Sequence, residues 1–422
     1  MKVIPDDATT AEISKKSRQR RRIAFLAIWG PGLIVMLADT DIGSLVTAAQ
    51  SGAELGYKMI APSLILIPIL YVVQEITIRL GIITGKGHGA LIRENFGIWW
   101  GFLSAGTLFL TSVGALLTEF AGVAGVGDLF GISSKITIPV ATAFLIGIAL
   151  TGSYRRVERI GVALGLAELI FIPAVLLAHP HVNQIFHGFT KVPIHNHTYL
   201  LLLAANIGAV IMPWMIFYQQ GAVIDKKLTV HDLKSERRDT AFGAFLTQAI
   251  AIAVVIVFAA TVGMHHGSVS LSTVTSLQRG LSPYLGGMGS KIILAVALTG
   301  AALVAALVAS LAGAWGLSEV MGWKHTLNEK PQRENAMFYT VYSLIHIAGA
   351  LIVMANLDLV ALVIHVEVMN SILLPIVLGF LLALEAKVLP EKYRMKGIYR
   401  VMAIFLSAVL VCFALYMIPS LI

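Results

Sequence analysis

The stretch LADTDIGSLVTAAQSGAELGY, Leu37 to Tyr57, sets two aspartates, Asp39 and Asp41, and Gly43 in the middle of an apolar run that begins at Ile23. It is too polar for an ordinary membrane span and too apolar for a surface loop. Its surroundings decide between the two. Of 422 residues, 57% are hydrophobic and only 13% charged, against about 25% charged in a soluble domain. Apolar runs of about twenty residues recur along the whole length, each long enough for a hydrocarbon core of roughly 30 Å. The chain reads as an all-α integral membrane protein, and the carboxylates of the first run belong inside the bilayer.

Eleven spans are predicted, over residues 23–51, 58–82, 98–127, 135–152, 158–178, 198–224, 240–263, 287–319, 336–354, 358–384 and 398–419. Placing the N-terminus in the cytosol puts 26 of the 31 Lys and Arg on that side, leaving Lys58, Lys135, Lys191, Arg279 and Lys291 opposite. This asymmetry is the positive-inside pattern, and with eleven spans it puts the C-terminus outside. The net charge of +8 therefore reports topology, not nucleic-acid binding. The basic cluster KKSRQRRR, Lys15 to Arg22, is read as a retained cytosolic tail, since no small-residue cleavage site follows it. The lone Cys412 offers neither a disulfide framework nor a cysteine metal site. No cofactor and no obligatory protein partner is expected.

Two spans depart from the ordinary. The first carries Asp41-Ile42-Gly43-Ser44 at mid-depth, and the sixth, NIGAVIMPWMIFYQQGA, carries Gly208 and Pro213. Proline removes an amide donor and clashes with the preceding turn. Unwound backbone at membrane depth is tolerated only where protein or a water-filled cavity receives it. Both spans are expected to be broken helices, at Gly43 in the first and at Gly208 and Pro213 in the sixth. The breaks are five spans apart, which suggests two five-helix repeats of inverted topology plus an eleventh helix, with a transport site at the midplane. The expected organisation is a basic tail (1–22), a first repeat (23–178), an outer loop (179–197), a second repeat (198–384), a cytosolic loop (385–397) and the eleventh helix (398–422). DKKLTVHDLKSERRD, Asp225 to Asp239, is expected to be a cytosolic surface helix linking the repeats.

A carboxylate at the bilayer centre costs about 2.5 to 3.5 kcal/mol on insertion scales and is a functional candidate by default, so Asp41 leads. Asp39, two residues earlier, is read as bonded within the bundle or facing a vestibule. Met212 precedes Pro213, and its thioether, set opposite a carboxylate, favours a transition-metal ion over hard magnesium or calcium.

These residues carry a resemblance. GPG, then Asp41-Ile42-Gly43-Ser44 and QSGAELGY, resembles the first helix of the NRAMP divalent-metal transporters, with its Asp-Pro-Gly-Asn. IGAVIMPW (Ile207 to Trp214) resembles their sixth-helix Met-Pro-His motif, RLGIITGKGHGALIRENFG (Arg79 to Gly97) the loop after their second helix, and LLTEFAGVAG (Leu116 to Gly125) their third helix. The resemblance implies a LeuT-type fold and uptake of a divalent metal, often proton-coupled. By position it implies the Asp41 carboxylate, Ser44, the Ala209 carbonyl and the Met212 sulfur as metal ligands.

The chain also departs from this family. Ile42 replaces proline, Ser44 replaces asparagine, Trp214 replaces histidine, and Gly122 replaces a glutamate one turn after Glu119, which stands where the family has aspartate. Glu119 fits a proton relay and a structural carboxyl equally, and His346 lies in the ninth span, where many members carry arginines. In the tenth span, Glu367 aligns near the polar side chain that approaches the metal in the family. It is read as an oxygen ligand compensating for Ser44 or as a bundle-facing carboxyl paired with His365 or with the loop. The spacing of His365, Glu367 and Asn370 lets at most two of them line one cavity. His179, His181, His187, His195, His197, His265 and His266 fall in two long outer loops, as solvated side chains or as a metal-collecting mouth.

The expectation is import of manganese or ferrous iron through the plasma membrane by alternating access. A magnesium-permeable relative or an organic-solute symporter of the same architecture is the alternative. No HExxH motif or GxSxG elbow points to an enzyme.

Overall fold

The computed structural model describes residues 30–190, 192–263, 271, 273–354 and 359–417. The basic N-tail, the start of the first span, and His265 and His266 lie outside the described residues.

The first span is two helices. α1 (Pro31–Asp39) begins with proline at its first helical position, where a missing amide donor costs nothing. It ends at Thr40, and α2 (Ile42–Leu55) restarts with Asp41 as its N-cap. A 3-10 turn, Gly56–Met59, leads into α3 (Ile60–Thr84), followed by short α4 (His88–Phe96) and long α5 (Ile98–Leu129). α6 (Ser134–Ala149) is next. The fifth span is α7 (Tyr154–Gly165), a 3-10 segment over Leu166–Ile170, and α8 (Phe171–Leu177). Outside it lies α9 (Val182–Thr190). The sixth span is again two helices, α10 (His197–Val210) and α11 (Pro213–Asp225), with proline at the first position of the second. Then come α12 (Leu233–Phe258), α13 (Val274–Leu285), α14 (Gly287–Met321), α15 (Ala336–Val353), α16 (Leu359–Val388) and α17 (Gly397–Met417).

Among the described residues, nine helical runs are long and apolar enough to cross a membrane, and α6 is a shorter apolar helix. The run Ile42–Thr84 is 43 residues long and holds the second half of the first span together with the second. The eleven-span reading is compatible with this division. The architecture is the LeuT-type five-plus-five arrangement, with the broken first and sixth spans at its centre. Burial sets that centre: 83% of the most apolar window of His197–Asp225 is buried, against 22% for Gly397–Tyr416. Every residue of α1 is buried.

Close packing comes from small residues. α14 lies along α5, where a β-carbon on Gly313 would stand 3.3 Å from Ser112 Oγ, and Gly316 lets Leu108 and Phe217 approach its backbone. Small interfacial residues let helix backbones come together where lipid supplies no hydrophobic drive.

The stretch Asp225 to Asp239 is not a separate surface helix. α11 ends at Asp225, a turn follows, and α12 starts at Leu233 and continues unbroken into the seventh span. Its charges at 236 and 239 lie one turn apart on the face that meets α1, and burial of both is the reason this segment joins the span.

Candidate metal-transport site

The first break is made by a cap. Asp41 has extended backbone, and its Oδ1 accepts the Ser44 amide at 2.6 Å, so the carboxylate starts α2 without a proline. The break therefore lies at Thr40–Asp41, not at Gly43, which sits within the first turn of α2. The sixth-span break lies at Ile211–Met212, with Met212 as the extended N-cap of α11; Pro213 is at the break, whereas Gly208 is inside α10.

Both glycines serve Glu367 instead. A β-carbon on Gly43 would overlap Glu367 Oε1 and stand 3.0 Å from Asp41 Oδ1. A β-carbon on Gly208 would overlap the Glu367 carbonyl and stand 2.9 Å from the Ser371 amide. One glycine admits the carboxyl of Glu367 and the other its backbone, so α16 presses between the two broken spans.

Ser44 ties the breaks together. Its hydroxyl lies 2.5 Å from the Asp39 carbonyl and 3.0 Å from the Ala209 carbonyl, so its one proton is shared between these two backbone oxygens. Ser44 and Ala209, both implied ligands, are thus in direct contact. Met212, at the sixth-span break, is fully buried. Asp41 is also fully buried, and its Oδ2 makes no hydrogen bond within the chain. Glu367 Oε2 accepts from Asn370 Nδ2 at 2.9 Å, while Oε1, the atom over Gly43, has no partner. His365 is exposed and bonded to the Ala361 carbonyl, so Asn370 is the side chain paired with Glu367.

Glu119 reaches the same place. Its Oε2 accepts the Ile42 amide at 3.3 Å and its Oε1 the Thr118 hydroxyl at 3.2 Å. Gly122, one turn on, faces Ile42, whose Cδ1 would be 2.6 Å from a β-carbon there. His346 is buried against the ring of Phe120, the residue after Glu119, held by the Tyr342 carbonyl at 3.0 Å and near Ser310 Oγ at 3.4 Å. No hydrogen bond joins it to Glu119 among the described residues. Trp214 is fully buried and its indole N–H has no acceptor. Among the described residues, no three His, Cys, Asp or Glu side chains form a ready metal-holding group, the described outer-loop histidines included.

Sequence reasoning missed one feature. The amides of Gly30 and Leu33 donate to Asp239 Oδ2 at 3.1 and 2.9 Å, and that of Gly32 to Glu236 Oε1 at 3.0 Å. Two carboxylates of α12 thus grip the open amides of α1, the favourable placement for negative charge at a helix N-terminus. The signal was the spacing of three between Glu236 and Asp239, hidden in a stretch assigned to the surface.

The family model described as natural resistance-associated macrophage protein-like (Nramp) matches residues 32–420. The chain belongs to the Nramp family. Among Nramp relatives, the divalent metal cation transporter MntH of Staphylococcus haemolyticus is 29% identical over 252 residues, 56% of this chain and 54% of that protein. MntH of Brucella suis is 25% identical over 319 residues, 72% of this chain and 69% of that protein. The chain spans about half the length of the first curated relatives it matches. The fold of this Nramp chain is shared with a solved manganese transporter from Eremococcus coleocola, at a TM-score of 0.77 and 19% identity over 94% of this chain and 86% of that one. It is also similar to MhsT in complex with L-phenylalanine, at a TM-score of 0.65 and 14% identity over 93% and 98% of the two chains.

Proposed function

We propose that this Nramp protein imports divalent transition-metal ions, manganese or ferrous iron, across the plasma membrane by alternating access. The observation that carries the reading is the meeting of the two helix breaks: Ser44 bonded to Ala209, beside the buried, unpaired Oδ2 of Asp41, with Met212 at the second break. In this reading the Asp41 carboxylate supplies the charge that pulls a dication from water. Ser44 and the Ala209 carbonyl complete the oxygen set on binding, and the Met212 sulfur selects against hard ions. Glu367 Oε1 supplies a further oxygen through the window at Gly43.

Proton coupling is not required by this reading. The membrane potential is worth about 2.3 kcal/mol per charge per 100 mV, so an inward dication is driven twice over. Trp214 brings no titratable group to the family's histidine position. The N-terminus is assigned to the cytosol and the C-terminus to the outside.

The test is manganese uptake into proteoliposomes: uptake with the natural chain and its strong loss with Asp41→Ala are expected. Absence of uptake by correctly inserted protein overturns the reading. A magnesium-permeable site is favoured by one observation, the second unpaired carboxylate oxygen, that of Glu367. Excess magnesium blocks manganese uptake only if the site has become hard, and Met212→Ala weakens the preference for manganese if sulfur binds the ion.

A further inference from the structure

Two buried carboxylates beside the first break are not used by the site at Asp41. Asp39, the last residue of α1, is 1% exposed and its Oδ1 makes no hydrogen bond within the chain. Glu168, on the 3-10 segment of the fifth span, is 0% exposed, with the Thr40 hydroxyl beside its carboxyl and no cationic side chain paired with it among the described residues. Each approaches one of a pair of touching hydroxyls. Thr40 lies beside the Glu168 carboxyl and Thr247 of α12 beside that of Asp39. The Thr40 and Thr247 hydroxyls are 3.0 Å apart. Gly165, three residues before Glu168, lets the fifth span rest directly on α1: a β-carbon there would stand 2.6 Å from Leu37 Cβ.

This arrangement lacks a compensating charge of its own. An ionised carboxylate buried without a partner costs several kcal/mol even after the protein relaxes. No Lys, Arg or His pairs with Asp39 or Glu168 among the described residues. The two hydroxyls, 3.0 Å apart, bring one proton to each carboxylate at most, which leaves Asp39 Oδ1 without a donor and both charges without a cation. Every candidate donor is oxygen, with no sulfur and no imidazole, which suits cations that seek oxygen.

We propose that Asp39 and Glu168, with the hydroxyls of Thr40 and Thr247, hold a second cation, a hard one of the sodium or calcium type, separate from the metal carried at Asp41. Two carboxylates and two hydroxyls from three spans make this site, which differs from a cluster of three acidic or imidazole ligands. An ion here ties the end of α1 to the fifth span and to α12. Its occupancy then biases the position of α1 relative to the break.

The proposal does not rest on metal transport at Asp41, and its test is run with that residue altered. Binding of radiolabelled sodium and of radiolabelled calcium is measured on the purified full chain carrying Asp41→Asn, in lipid nanodiscs. Saturable binding of either ion, near one per chain, is expected. Adding Glu168→Gln should weaken it by about tenfold or more, a change of about 1.4 kcal/mol. Glu168→Asp should recover part of it. No saturable binding of either ion, or binding unchanged by Glu168→Gln, overturns the assignment. Thermal unfolding without either ion reports whether each variant folds. If Glu168→Gln does not fold, Thr247→Val decides: weakened binding supports the site and unchanged binding overturns it.

Discussion

A β-carbon on Gly122 would stand 2.6 Å from both Cδ1 and Cγ1 of Ile42, so the side chain that follows Asp41 occupies the space any larger residue at 122 would need. At these two positions the chain differs from the motif it resembles, with isoleucine for proline and glycine for glutamate. The structure makes them one change in two parts. Ile42 anchors the start of α2 against α5, and Gly122 is its socket.

Gly122→Ala should therefore destabilise the protein by about 1 to 3 kcal/mol, the usual cost of overpacking a dense core. Ile42→Ala in the same chain should recover much of that loss. A thermal-unfolding double-mutant cycle measures the coupling, expected within about 0.5 to 3 kcal/mol for residues in contact. Additive losses would show that the two side chains do not share the space.

Gly43→Ala should displace the Glu367 carboxyl, because the new methyl would overlap Oε1. Manganese uptake should fall by about tenfold or more, equivalent to about 1.4 kcal/mol. Combining it with Glu367→Ala should restore folding stability, read by melting temperature, without restoring uptake. Uptake unchanged in Gly43→Ala and in Glu367→Gln would remove Glu367 from the ligand set.

Asp41 caps α2 and, in the proposed function, also supplies the charge that binds the ion. Asn is as good an N-cap as Asp, whereas Ala loses about 0.5 to 2 kcal/mol at such a position. Asp41→Asn should keep the melting temperature and lose manganese binding, measured by calorimetry. Asp41→Ala should lose both. Equal manganese affinity in Asp41→Asn would show that the carboxylate charge is not what binds the ion.

Glu236 and Asp239 hold the N-terminal amides of α1, and Lys226, bridged to Glu158 at 2.8 Å, stands near them: its Nζ would be 3.5 Å from a β-carbon on Gly30. Glu236→Gln with Asp239→Asn weakens charge-assisted bonds, each worth about 1.5 to 3 kcal/mol. The expected result is a looser α1. Cysteine placed at Ala38 should react faster with a thiol reagent in the double variant than with the latch intact. Equal rates would show that the grip does not hold α1 in place.

Much of the fold is legible in the sequence because the bilayer imposes a simple rule on composition. Apolar runs of span length, the distribution of Lys and Arg, and the polar interruptions in the first and sixth runs suffice to give a helical membrane protein with two broken helices. Asp41 stands out for the same reason, as a carboxylate where hydrocarbon is expected. The role of each glycine is not legible. Gly43 and Gly208 look like breakers when only their own helix is considered, yet the first break is set by the Asp41 cap and the second falls at Ile211–Met212. Glu236 and Asp239 look like solvated charge because their partners, the amides at the start of α1, are more than two hundred residues away.

By itself, then, the sequence determined that this chain spans a membrane, that its first and sixth spans are interrupted, and that a carboxylate and a thioether stand at the interruptions. These follow from the cost of exposing backbone or charge to hydrocarbon, which any single segment reveals. Only the tertiary structure decided what Ile42 and Gly122 are to each other, why glycine is needed at 43 and 208, and that Glu367 pairs with Asn370 while His365 faces outward. Those are matters of clearance and hydrogen-bond geometry between helices distant in the chain, and no local pattern of residues contains them.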